Sequence, residues 1–301
     1  MNRSILPVFL ALASLAAKPA VAAWTHDPST NEPVCVAANH QNHPEVAADA
    51  AGNTFITWHD FRSGDYDIYV QKYSPKGVPQ WGADGVHVPT NLSLQSYPLI
   101  VADGAGGAIV AWHDLSTGTD YDIYAQRLNS SGVPIWAVQG VLVCTALGDQ
   151  YHLTAAPDGF GGVLLAWTDF RNGNGDVYAQ RVSAAGAGLW GANGVALTTA
   201  SGTQELPQIV FLSPPQVSAP PLEAMAPIVS VVPTDRRKSF FVLVADNLRT
   251  LDGNAAFLYG VNLVVATKDL PQFPQIYRDA HAAHERLYAS MSAIAREKHL
   301  V

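Results

Sequence analysis

Apolar and polar residues alternate along most of the chain in short runs, and the runs recur. TFITWHD, AIVAWHD and VLLAWTD each carry a tryptophan, Trp58, Trp112 and Trp167, and lead to DIYVQKY, DIYAQRL and DVYAQRV. Runs of this length, rich in Val, Ile, Tyr and Trp and separated by turn signals such as AAGN, SGDYD, SPKG and NSSG, predict strands. A run after Pro44, Pro98 or Leu153 precedes each pair, and GVHVPT, GVLVCT or GVALTT follows it. The three tryptophans lie 54 and 55 residues apart, and the same register holds for Tyr69, Tyr124 and Tyr178, for Trp81, Trp136 and Trp190, and for Gly85, Gly140 and Gly194. Four short strands at a fixed period predict an all-β fold of tandem four-stranded propeller-type blades, over 44–97, 98–152 and 153–206. A β-sandwich or solenoid of the same period is the alternative. PVCVAANHQNHP matches the fourth run and the lead-in to the next unit, so the repeats begin in the last strand of a blade.

The pattern changes after a fourth unit starts over 204–210. Residues 213–227, SPPQVSAPPLEAMAP, read as a Pro-rich linker. The tail, 228–301, has no repeat. It predicts buried strands over Phe240–Ala245 and Phe257–Ala266, then an amphipathic helix over 276–297 with Ile276, Ala280, Ala283, Leu287, Met291 and Ile294 on one face. This is either a short α/β unit or sequence joined by a shift of reading frame. Three blades are fewer than the four to eight of a closed propeller. An open arc leaves edges for the tail to cover or for self-association.

Residues 1–22 read as a signal peptide: Arg3, an apolar run from Ile5 to Ala17, and Ala20-Val21-Ala22 as the cleavage site. The apolar run is too short to span a bilayer, and no later stretch is long enough. The expectation is a protein secreted to the periplasm or the exterior, with a repeat region over 23–212.

Apolar residues make up 48% and charged residues 14%, a composition that forms a core. Residues 24–212 hold 6 Lys and Arg against 17 Asp and Glu, a net −11, whereas 228–301 hold 9 against 7. An acidic body excludes nucleic acid as a partner, because phosphates need a basic face.

The run from the tryptophan through DFRSGDYDIYVQ resembles TolB-type propeller repeats, and DGAGGAIVAW resembles the Asp-box of sialidase-like propellers. Both resemblances imply a blade. The units are longer than a TolB-type repeat and the Asp-box spacing does not fit, so neither implies an activity.

Candidate chemistry is sparse. Asp65 with Asp67, Asp120 with Asp122, and Asn174 with Asp176 place alternating oxygens in the turn after the tryptophan strand, as Ca²⁺ needs, or simply make the turn. Ca²⁺ is the one cofactor these residues suggest. Asp60 with Arg62 and Asp169 with Arg171 recur at one repeat position, with Ser116 in the middle copy, which favours a structural ion pair. A glycosidase needs two flanking carboxylates, and Glu32, Glu45 and Glu205, like Asp27, Asp84 and Asp149, form no evident pair. His281 and His284 on the tail helix lack a metalloprotease pattern. Tyr66, Trp81, Tyr121, Trp136 and Trp190 are candidates for stacking on a sugar or peptide, although the recurrence of the three tryptophans in register favours inter-blade core for them. Cys35 and Cys144 fall at one repeat position two blades apart, too far for a disulfide, and are expected as free, buried thiols. The chain reads as a secreted, non-catalytic module that binds a protein or glycan or has a structural role. The alternative is a glycan-acting hydrolase on a propeller scaffold, which would gather unrepeated polar residues in one cleft.

Overall fold

The computed structural model describes residues 29, 31–88, 94–115, 118–197, 208–212, 239–246, 248–253, 256 and 262–283. The signal segment, the 213–227 linker, Ser116, Glu205, His284, Leu287, Met291 and Ile294 lie outside these. The first blade comprises β1 (Gln41–Ala48), β2 (Thr54–Asp60), β3 (Asp67–Tyr73) and β4 (Val86–His87). The second comprises β5 (Gln95–Ala102), β6 (Ala108–Asp114), β7 (Asp122–Leu128) and β8 (Val141–Cys144). The third comprises β9 (Gln150–Pro157), β10 (Val163–Asp169), β11 (Asp176–Val182) and β12 (Val195–Ala196). Each is an antiparallel sheet in simple sequence order. The first strands, β1, β5 and β9, run beside one another, so the sheets fan out from them. The fold is all-β and propeller-like, in three blades.

The period-two alternation is what stacks the blades. In β6, Ala108, Val110 and Trp112 pack on Phe55, Ile68 and Val70 of the first blade. The residues between them, Ile109 and Ala111, pack with Ile123, Ala125 and Val143 against Val163, Leu165 and Trp167 of the third. A middle blade is therefore apolar on both faces, and β6 and β10 are buried along their whole length.

The recurrent residues hold each blade together. The indoles of Trp58, Trp112 and Trp167 are buried and donate to the carboxylates of Asp60, Asp114 and Asp169 at 2.8, 3.2 and 2.8 Å. Gly85, Gly140 and Gly194 lie against the far edges of these indoles in the left-handed backbone region. Gln71, Gln126 and Gln180 bracket the next loop: each amide donates to the carbonyl of Gly82, Ala137 or Gly191 and accepts from two backbone N–H groups, one of them that of Trp81, Trp136 or Trp190.

Residues 34–37 occupy the place of a preceding blade's outer strand. Cys35 stands beside Asp60 and Arg62 as Cys144 stands beside Asp169 and Arg171. The Val36 N–H donates to Asp84 as the Thr145 N–H donates to Asn193. Both cysteines are free; Cys144 is buried, but Cys35 is only half-buried, because among the described residues no complete blade covers that side.

The tail closes over the third blade. β13 (Gln208–Leu212) lies beside β9, where a fourth blade's first strand belongs, but it pairs in parallel with β14 (Ser239–Ala245), which pairs in parallel with β15 (Leu263–Ala266). The fourth unit suggested by the repeat therefore does not continue as an antiparallel blade. A 3₁₀ turn at Thr267–Gln272 leads into a helix described over 273–283, which begins three residues earlier than its apolar period predicts. Val242, Val244, Leu263, Val265, Leu270, Phe273 and Tyr277 share one core with Leu164, Val177, Trp190 and Leu197 of the third blade. Phe273 stacks on Trp190 at 5.4 Å.

Two outcomes are expected. A Cβ at Gly140 would lie 2.8 Å from both the Trp112 ring and the Ala125 carbonyl, whereas one at Gly118 would meet nothing. Both have positive φ, so Gly118→Ala should cost about 1 kcal/mol for backbone strain and Gly140→Ala about 3 kcal/mol in denaturant titrations. Burial pushes the Cys144 thiol up to about 12. A thiol reagent at neutral pH should label Cys35 first and Cys144 only on unfolding; an intramolecular disulfide by mass would contradict the blade order.

Candidate functional site

Each first strand carries the same irregularity. The pairing of β1 with β2 slips between Asn42 and Glu45, that of β5 with β6 between Ser96 and Leu99, and that of β9 with β10 opposite Ala166 and Thr168. Within the slips His43, Tyr97 and His152 adopt φ of 49°, 49° and 51°, a conformation that costs a bulky side chain energy and that bulges use to re-aim a residue. The strain is repeated in all three blades at one end of the fan, where the turns between the second and third strands also lie.

These bulges meet a set of rings. His59, next to Trp58, stacks on Tyr66 at 4.4 Å and lies 4.7 Å from His43. Tyr97 lies 4.5 Å from His43, 6.2 Å from His59 and 6.0 Å from His113, so it joins the first blade to the second. His113 is in ring contact with Tyr121 and Tyr151, Tyr121 with Tyr151, and Tyr151 with His152 and Phe170. The outer members are open to solvent: Tyr97 is 53% exposed, Tyr151 36% and Phe170 37%, and His43 and His152 are also exposed. The backbone sets this placement, since the carbonyls of Tyr66 and Tyr121 accept from the N–H of Gln95 and Gln150 in the next blade.

Beneath the exposed rings lie two imidazoles, each 5% exposed. None of the four ring nitrogens of His59 and His113 has a hydrogen-bond partner among the described residues. A buried polar group without a partner costs about 1–3 kcal/mol, and such exceptions call for an explanation. Burial, helped by the neighbouring His43, lowers His59 to about 4; burial, helped by His152, lowers His113 to about 4. Both are neutral at pH 7. Burial, and then the hydrogen bond to Asp149, push the Tyr151 hydroxyl up to about 12.

The sequence candidates fall on both sides of this boundary. Tyr66 and Tyr121 belong to the ring cluster. Trp81 and Trp190 are buried and Trp136 is half-buried. Trp81 and Trp136 lie in the blade seams, where their indoles donate to the carbonyls of Ser130 and Ala184, so they present no open ring to a ligand. Asp65 and Asp67 accompany Ser63, whose hydroxyl donates to Asp67. Asp120 accepts from the Gly148 N–H and from Thr119, and Asp176 accepts from Asn172 and Asn174. Asp67 and Asp176 are thus engaged within their turns, and Asp120 both within its turn and across to the lead-in of the next blade. Among the described residues no three His, Cys, Asp or Glu side chains form a group that could hold a metal ion. Asp60 and Asp169 face their arginines at 2.5 and 2.6 Å. Although burial works to raise it, the hydrogen bonds from Arg62 and Trp58 hold Asp60 down to about 2. Each guanidinium also covers a tyrosine ring, Tyr69 or Tyr178, at 3.8 Å, which makes these pairs blade anchors. His281 stacks on Tyr277 in the tail.

The residues missed from sequence are His43, His59, Tyr97, His113, Tyr151 and His152. One signal existed. The repeat keeps its Trp, Asp, Gln and Gly positions, but places His59, His113 and Thr168 at one position, and His43, Tyr97 and His152 at another.

No protein-family model and no curated protein sequence matches the chain. Among solved structures it is similar to an endo-arabinase from Bacteroides thetaiotaomicron, at 16% identity over 52% of this chain and 61% of that one, TM-score 0.35. It is similar to an α-L-arabinofuranosidase from Lactobacillus brevis, at 11% over 55% of each chain, TM-score 0.35. It is also similar to the Hadza microbial sialidase Hz136, at 13% over 49% of this chain and 36% of that one, TM-score 0.34. The chain spans less than two thirds of each of these proteins. Likenesses this weak carry no ligand or reaction across to it.

The lowered imidazoles make stability depend on pH. A histidine whose pKa falls on folding adds stability that is complete above its unfolded value near 6.5 and is lost as the pH drops toward about 4. Unfolding free energy should therefore fall by roughly 2–3 kcal/mol per imidazole over that interval. His59→Phe with His113→Phe should flatten the curve, as measured by denaturant titration across the range.

Proposed function

We propose that the ring-lined end of the blades is a glycan-binding face and that the chain acts as an exported recognition module. The observation that carries the reading is the set of solvent-exposed rings, Tyr97, Tyr151 and Phe170, gathered at one end of the blades on a buried, anchored base. Aromatic faces match the C–H faces of sugar rings, and a few convergent polar groups beside them fix orientation. Stacked rings also suit single-stranded nucleic acid, but a repeat region with a net charge of −11 repels phosphates. The segment over 1–22 fits export to where free glycans are met.

A hydrolase acting on glycans is the second reading. In its favour, the residues at this end differ from blade to blade, as an asymmetric site requires, while the scaffold beneath repeats. It needs a pair of carboxylates across the scissile bond, and Asp149 is the acid that this cluster brings to the rim.

Affinity electrophoresis through gels containing soluble polysaccharides tests the binding reading. Tyr97→Asn keeps a residue that tolerates positive φ and removes the ring, and Tyr151→Ala removes the second; each should weaken retention by roughly tenfold. Failure of every polysaccharide to retard the unmodified chain rejects the reading. Release of reducing ends from a retained polysaccharide would favour hydrolysis.

A further inference from the structure

The exposed rings form a row across the blades. His43 on β1, Tyr97 on β5 and His152 on β9 stand at the same bulge of three first strands that run side by side. The row therefore crosses the strands and passes from blade to blade. From His43 it runs 4.5 Å to Tyr97 and then passes over the buried His113, which lies 6.0 Å from Tyr97 and 6.5 Å from Tyr151. Phe170 lies 6.1 Å from Tyr151. At the first blade Tyr66 and Phe61, 4.9 Å apart, carry the row on.

This spacing bears on the size of the ligand. Tyr97 and Tyr151 both contact His113, and among the described residues no ring contact joins them directly. A single sugar, about as wide as one of these rings, does not cover both. The polar groups beside the rings are spaced out with them. The Asn42 amide donates to the Tyr66 hydroxyl at 3.3 Å on the first blade, and the Tyr151 hydroxyl lies with Asp149 on the third.

The backbone strain agrees. Tyr97 holds a φ of 49° and is 53% exposed, so burial returns little of what its conformation costs. His43 and His152 are likewise strained and exposed. Strain repeated in three blades, with the side chains left in solvent, aims one ring from each blade at whatever lies across them.

We propose that this face holds a run of consecutive sugar units laid across the blades, long enough to cover Tyr97 and Tyr151 together. This rests on the glycan-binding reading and specifies the length of chain it takes. A second stacked unit in the same chain binds without a second loss of translational freedom. Affinity therefore climbs with length until the row is spanned, and then levels.

The test is calorimetric titration of the full chain with the polysaccharide that retards it most in affinity electrophoresis, and with fragments of that polysaccharide from monomer to octamer. The octamer should bind at least about a hundredfold more tightly than the monomer. Tyr97→Asn and Tyr151→Ala should each lower octamer affinity roughly tenfold and monomer affinity less than about twofold, since one ring remains for a single sugar. A merely structural defect would lower both alike. If a variant does not fold, the length series of the unmodified chain decides. Equal affinity for monomer and octamer, or equal losses for both in the two variants, overturns the proposal while leaving glycan binding intact. Retention by no polysaccharide removes both.

Discussion

Three buried indole–carboxylate bonds carry the architecture. In each blade the tryptophan at the end of the second strand donates to an aspartate two residues on, and a glycine is needed where the next loop crosses the far edge of the indole. A tryptophan buried without a partner for its N–H would lose much of what its apolar area gains. A side chain in place of the glycine would push the loop off the ring. The pair fixes the corner where the second strand turns into the third, and therefore the direction in which that turn projects.

Everything at the ring-lined end follows from those corners. His59 and His113 lie between the tryptophan and the aspartate that anchor their blades, so they cannot swing away to find partners. The turn from the second to the third strand brings Tyr66 and Tyr121 back over them, and the bulge of each first strand aims His43, Tyr97 and His152 at the same place. Rigid anchors and backbone hydrogen bonds between blades thus hold in place a cluster that includes two unsatisfied imidazoles and three strained residues. Stability given up at one end of a well-anchored scaffold is the usual mark of a functional surface.

The cysteines and arginines show how one structural device varies between copies. In the first and third blades an arginine closes the corner, bonded to the aspartate, laid over a tyrosine and touching a cysteine from the outer strand before it. Ser116 holds the arginine's position in the middle copy, and the Trp112 indole donates to Asp114 there as in the other blades. The indole bond is common to all three blades and the arginine is an addition to it.

The sequence by itself determined the strands, their grouping in fours and the burial of the recurrent tryptophans, because these depend on local alternation and on a period that any blade must keep. It also marked Tyr66 and Tyr121, and it assigned the repeated Asp–Arg pairs to structure. The tertiary structure alone decided three things. It chose parallel pairing for β13, since the tail, unlike a blade, supplies a strand running the same way and an apolar face for Trp190 and Leu197. It set the seam partners of Trp81 and Trp136, whose indoles donate to the carbonyls of Ser130 and Ala184 in the next blade's turns. And it gathered His43, His59, Tyr97, His113, Tyr151 and His152 into one surface. Those residues come from three positions of the repeat, and only the sideways approach of β1, β5 and β9 brings neighbouring copies within reach. Strand alternation says which face a side chain takes within its own sheet, but not what the adjacent sheet sets beside it.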